Sequence, residues 1–162
     1  MQIEPVQPKH MEIRRLENTE TPPYELLLLA DPSLVLVDKY LKEGECFLCE
    51  MDGEIIGVFV LLMLNPETVE IKNIAVREAM QGKGIGKQLV KEAIRIAEEI
   101  GYRKIEIGTG NSSLNQLALY QKCGFRIVEI IHDFFTFHYK EEILENGMVC
   151  RDMIRLRIEL AS

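Results

Sequence analysis

The sequence predicts an α/β (α+β) protein with a mixed, mostly antiparallel central sheet flanked by helices. Three observations carry that expectation. Two apolar segments meet at "MDGE", which marks a β-hairpin. A third apolar segment, "TVEIKNIAV", leads into a glycine-rich loop and a long amphipathic stretch, and beyond Gly101 strand-like and helix-like segments alternate. Strands that first meet in hairpins and then alternate with helices call for a mixed sheet covered by helices.

The elements follow in order. An opening strand is expected near "MQIEPV", then a helix-rich segment through Leu41 made of "KHMEIRRLEN", "YELLLLA" and "PSLVLVDKYLKEG". Prolines 22, 23 and 32 suit first turns or boundaries between helices, although "SLVLV" fits a strand equally well. From Glu45 the hairpin "GECFLCEMDGEIIGVFVLLML" and the strand "TVEIKNIAV" precede a helix ending at Ile100. In that helix Ile85, Leu89, Ala93 and Ala97 recur at intervals of four, Val90, Ile94 and Ile96 widen the stripe, and Gly101 supplies a left-handed cap. The strand "RKIEIGTG", the helix "SLNQLALYQKCG", the strand "FRIVEIIHDFF", an irregular segment and the final strand "VCRDMIRLRIEL" complete the chain.

At 162 residues these elements fit a single domain, residues 1–162, with an ordinary apolar content of 47%. A net charge of -7 argues against broad nucleic-acid binding, which needs a basic surface. No stretch reaches the length of a membrane span, and the N-terminus lacks the order of a signal peptide, so a cytoplasmic protein without membrane partners is expected. The cysteines are Cys46, Cys49, Cys123 and Cys150. "CFLC" has a metal-like spacing, but residues three apart on a strand point to opposite faces, so buried reduced thiols and no metal are expected.

The loop "QGKGIGK" puts Gly82, Gly84 and Gly86 beside Lys83 and Lys87 at a helix start. Free amides and the positive end of the helix dipole converge there, which suits a phosphate or pyrophosphate. The P-loop spacing fails, because Lys87 stands where the second glycine is required, and the dinucleotide fingerprint fails at the same place.

The segment "IKNIAVREAMQGKGIGKQLVKEAIRIAEEIGYRKIEI" resembles the acetyl-CoA-binding motif of the GNAT N-acetyltransferase superfamily, [RQ]-x-x-G-x-[GA], matched by Gln81, Gly84 and Gly86. "LALYQKCGF" resembles that superfamily's second motif, here Tyr120, Gly124 and Phe125. The resemblance implies a GNAT-like fold in which the amides of residues 81–87 (Gln81, Gly82, Lys83, Gly84, Ile85, Gly86, Lys87) hold the pyrophosphate of acetyl-CoA. It also implies a pantetheine arm lying along "NIAV" (Ile74, Ala75, Val76), on a strand that a bulge splays from its neighbour. An amide there would polarise the thioester carbonyl. Where the family often has a cofactor-binding asparagine this chain has Ser113, and the role passes to Asn111 or Asn115.

Transfer to an amine needs a base for the ammonium and an acid for the leaving thiolate. The resemblance makes Tyr120 the acid beside the sulfur and Glu70 the base, directly or through water; packed aromatic and ordinary strand carboxylate are the structural alternatives. Covalent transfer through Cys123 is a variant. His132, Asp133 and His138 are read as lining an acceptor pocket rather than a metal site. A small-molecule amine is the favoured acceptor. The alternatives are a protein or peptide amine, or a non-catalytic acyl-CoA sensor. A homodimer that pairs or swaps through "MIRLRIEL" is a further expectation.

Overall fold

The computed structural model describes residues 10–160, and the strand expected near "MQIEPV" lies outside them. The elements are β1 (Met11–Arg15), α1 (Tyr24–Ala30), α2 (Leu34–Glu43), β2 (Glu45–Met51), β3 (Glu54–Asn65), β4 (Thr68–Val76), a 3-10 turn (Glu78–Met80), α3 (Ile85–Ile100), β5 (Lys104–Gly110), α4 (Leu114–Lys122), β6 (Arg126–Ile131), α5 (Phe134–His138), β7 (Leu144–Glu145), β8 (Met148–Val149) and β9 (Met153–Glu159). Seven strands form one sheet in the order β1-β2-β3-β4-β5-β9-β6. Among the described strands only β4 and β5 run parallel, with α3 as their crossover. The mixed, mostly antiparallel sheet expected from the sequence is therefore present.

Alternation sorts the side chains of the central strands onto two cores. Phe47, Cys49, Ile56, Phe59 and Leu61 pack with Leu89, Ala93 and Ala97 of α3 and Tyr120 of α4. Cys46, Leu48, Val58 and Val60 pack with Leu26 and Leu27 of α1 and Val37 and Tyr40 of α2. The two thiols of "CFLC" thus lie on opposite faces, as strand geometry requires. All four cysteines are free, and burial pushes the Cys46 thiol up to about 12.

Three readings of secondary structure are corrected, and the open one at "SLVLV" is decided for the helix. "KHMEIRRLEN" is not a helix: Met11 and Ile13 alternate with Glu12 and Arg14, and this period of two packs the apolar pair on the core while β1 pairs antiparallel with β2. "SLVLV" is helical, because the Ser33 Oγ caps α2 by accepting from the Leu36 N–H at 3.3 Å. The strand in "FRIVEIIHDFF" stops at Ile131, where Asp133 takes a left-handed φ of 59° and starts α5. "VCRDMIRLRIEL" divides between β8 and β9, the former joined to β7 by the left-handed pair Asn146 and Gly147.

β9 also lies inside the sheet, with β5 on one edge and β6 on the other. Both of its edges are taken, and among the described residues the outer strands of the sheet are β1 and β6.

Candidate active site

The glycine loop takes the form its composition requires. Gly82 and Gly84 have φ of 78° and 82°, which L side chains adopt at a cost, and nothing lies within 4 Å of a Cβ built at either. They are needed for conformation rather than for room. Gly86 differs: it sits inside α3, and a Cβ built there would lie 3.6 Å from Leu119 of α4 and 3.9 Å from Val76. The Gln88 N–H reaches back to the Gly84 carbonyl at 3.3 Å, while the amides of residues 82–87 have no backbone carbonyl partner among the described residues. Lys83 and Lys87 are exposed beside them. The Gln81 side chain donates to the Val76 carbonyl at 3.0 Å, tying the loop to the end of β4.

The splay that the resemblance implied is also present. β4 pairs with β5 only from Thr68↔Lys104 to Ile71↔Ile107, while on its other edge β4 follows β3 as far as Val76↔Gly57. A register shift between Val60 and Leu61 leaves Lys72 as the extra residue of a bulge. Beyond it Ile74, Ala75 and Val76 have an edge that β5 does not cover. The open backbone groups of that edge are a template for an amide-bearing arm.

Next to this edge lies a cavity of about 720 Å³. Tyr120, Ile71, Ile74 and Ile107 line it from the core side, Leu28, Asp31 and Tyr40 from α1 and α2, and Phe134, His138 and Tyr139 from the α5 segment. Tyr120 is buried and meets Phe125 edge to face at 6.2 Å; its hydroxyl has no protein hydrogen-bond partner among the described residues. Burial raises this phenol well above its ordinary range.

The other expected site residues divide. His138 lines the cavity, its ring against Phe134, whereas His132 is 79% exposed and stands 3.6 Å from Asp152. Asp133 caps α5 and does not line the cavity. Among the described residues no three His, Cys, Asp or Glu side chains are arranged to hold a metal ion. Asn111 has its amide spent on the fold: Oδ1 accepts from the N–H groups of Arg151 and Asp152, and Nδ2 donates to the Val149 carbonyl. Asn115 is exposed in the first turn of α4. Cys123 caps the far end of α4 and is not part of the cavity lining.

Glu70 is buried, and it too is absent from the cavity lining. Its carboxylate is bound by Arg155 of β9, which also holds Glu106 at 2.9 Å; Lys72 lies 3.8 Å away. Glu70 and Glu106 face each other across the parallel pair β4 and β5, so one guanidinium joins two carboxylates at the last paired rungs before the splay. A direct contact between Glu70 and an amine in the cavity is not part of this arrangement.

Residues 10–125 match the acetyltransferase (GNAT) family. The chain belongs to this family. It is 59% identical over 144 residues to the N-acetyltransferase YvbK of Bacillus subtilis (strain 168), an alignment spanning 89% of this chain and 93% of that protein. A GNAT family acetyltransferase from Elizabethkingia anophelis with acetyl-CoA bound superposes with a TM-score of 0.91 at 52% identity, over 93% of this chain and 98% of the other. A Bacillus subtilis acetyltransferase in complex with CoA gives 0.90 at 56% identity, over 94% and 100%. The chain is thus an acetyl-CoA-dependent acyltransferase of the GNAT type. The match to the family ends at Phe125, so the α5 segment that lines one side of the cavity lies beyond it.

Proposed function

We propose that this GNAT enzyme transfers the acetyl group of acetyl-CoA to the nitrogen of a small-molecule primary amine by direct attack. The observation that carries the reading is the size of the cavity, about 720 Å³, which suits a small molecule, with α1 and α2 as one wall and the α5 segment as the other. A protein or peptide acceptor would need an open groove. The amides of residues 82–87 with Lys83 and Lys87 hold the pyrophosphate, and the uncovered edge at Ile74 and Val76 takes the pantetheine arm. Asn115 adds a side-chain contact.

Tyr120 acts as the acid that returns a proton to the CoA thiolate. Its raised pKa keeps the hydroxyl protonated until a strongly basic sulfur appears beside it. Glu70 acts on the ammonium proton through water rather than by contact, since Arg155 holds its carboxylate off the cavity. Four free cysteines support a reducing cytoplasmic setting, and no described helix is long and apolar enough to cross a membrane. A homodimer, if formed through the sheet, uses the β6 edge, where Ile127, Val128 and Ile130 are exposed.

The test is thiol release from acetyl-CoA against a panel of small primary amines and short peptides. Release with small amines and none with peptides is expected. Release confined to peptides would replace the acceptor class, and binding of acetyl-CoA with no release on any acceptor would favour a sensor.

A further inference from the structure

Four side chains of the cavity lining, Asp31, Tyr40, Asn73 and Tyr139, form one hydrogen-bonded array. Asn73 Nδ2 donates to the Leu27 carbonyl at 2.9 Å and to the Tyr40 hydroxyl at 2.7 Å. A backbone carbonyl only accepts, so the amide nitrogen must face it and Oδ1 is turned the other way. The Tyr40 hydroxyl then donates to Asp31 Oδ2 at 3.3 Å, and the Tyr139 hydroxyl and Ser33 N–H donate to Oδ1 at 2.9 and 3.1 Å.

The hydrogens of the array can be counted. Both hydrogens of the Asn73 amide and both tyrosine hydroxyl hydrogens are spent inside it, and the Asp31 carboxylate accepts at both oxygens. Lone pairs remain on Asp31 and Tyr139, and Asn73 Oδ1 is a buried acceptor with no partner, on a residue only 4% exposed. Asn73 Oδ1 has almost no accessible surface, so the acceptors within reach of a ligand are those of the part-exposed Asp31 and Tyr139. Such an array has acceptors to offer and no donor. A carboxylate or carbonyl compound would meet lone pairs alone, whereas an ammonium brings three N–H groups and a charge opposite to that of Asp31.

On the acetyltransferase reading above, we propose that the Asp31, Tyr40, Tyr139 and Asn73 array docks the acceptor and selects a primary ammonium compound with an apolar or aromatic body. The body rests on Leu28, Leu36, Phe134 and Phe135 of the cavity wall. The array determines specificity and positions the acceptor. Lys72 does not counter it, because its ammonium lies 3.8 Å from Glu70 and over the Tyr40 ring at 5.9 Å. Lys39 is the lining cation with no ion pair among the described residues, and a carboxylate ligand is the rival it would favour.

The experiment titrates benzylamine, benzyl alcohol and benzoate, which share one ring and differ in the polar group, into the wild-type protein saturated with CoA, read by calorimetry. Benzylamine is expected to bind at least about tenfold more tightly than the other two, the worth of one charge-assisted hydrogen bond. In Asp31→Asn that preference disappears while the affinity for CoA is unchanged. Equal or tighter binding of benzoate or benzyl alcohol, no binding of benzylamine, or a preference retained in Asp31→Asn overturns the assignment. If Asp31→Asn misfolds and loses CoA, the wild-type comparison decides alone. A wild-type protein that fails to bind CoA would sink the acetyltransferase reading itself, whereas CoA binding without ammonium preference sinks only the docking point.

Discussion

Burial lifts the Tyr120 phenol above its ordinary range, so at neutral pH the hydroxyl keeps its proton and waits for a basic partner. Asn111 shows how a residue type that binds cofactors elsewhere becomes structural when its side chain is spent on the fold. Replacing Asn111 with Ala strands the N–H groups of Arg151 and Asp152 at the start of β9, and a loss of about 1–3 kcal/mol in urea unfolding is expected. Glu70→Gln separates the water-relayed base from none at all: kcat is expected to fall about 10²-fold or more with acetyl-CoA affinity intact, and an unchanged kcat would pass the proton directly to solvent. Asn73 was the legible residue that sequence reading passed over. A polar amide within the apolar run "IKNIAV" is a signal in itself, yet its partners are the Leu27 carbonyl and the Tyr40 hydroxyl, and no local spacing links them.

At the scale of elements, the splay depends on holding β4, β5 and β9 together at its base. Arg155, with 15% of its side chain exposed, bridges Glu70 and Glu106, and Arg157 adds a second bond to Glu106 at 2.8 Å. Arg155→Met leaves two carboxylates facing each other in a half-dry site, and a loss of about 3–5 kcal/mol is expected from denaturant midpoints. Burial by itself would raise the Glu106 carboxyl; the hydrogen bonds from Arg155 and Arg157 outweigh it and hold the group below its ordinary value of 4.5. A carboxyl depressed in the folded state stabilises the fold above the unfolded value, and that contribution is lost as pH falls through the folded value. The urea midpoint should therefore drop as pH falls below 4.5, and drop less steeply in Arg155→Met. The glycine loop is the second device. Gly84→Ala meets no neighbour but forces an L residue to φ of 82°, so a cost of about 1–2 kcal/mol and weaker CoA binding are expected together.

For the whole molecule, the hairpin, the α3 stripe and the glycine loop were legible because each is set by neighbours in sequence. Ile85, Leu89, Ala93 and Ala97 are all buried, and Gly101 caps α3 with φ of 106°. What was not legible depends on distant pairing. β1 became a strand because β2 offered it an edge, the "FRIVEIIHDFF" strand ended early because the Asp133 N–H turns to Asp152 at 2.9 Å, and β9 was inserted between β5 and β6. The cavity belongs to this second class. Its lining runs from α1 to β9; Ile74, Tyr120 and His138 of its members were named from the sequence, whereas Asp31, Tyr40 and Asn73 were not. The central claim is that the splay presents the thioester to Tyr120 at the mouth of this cavity. The measurement that tests it most directly is single-turnover thiol release by wild type and Tyr120→Phe with one accepted amine, beside calorimetry of acetyl-CoA. The account predicts an unchanged acetyl-CoA affinity with release slowed about 10²-fold or more; equal release rates in the two proteins would contradict it.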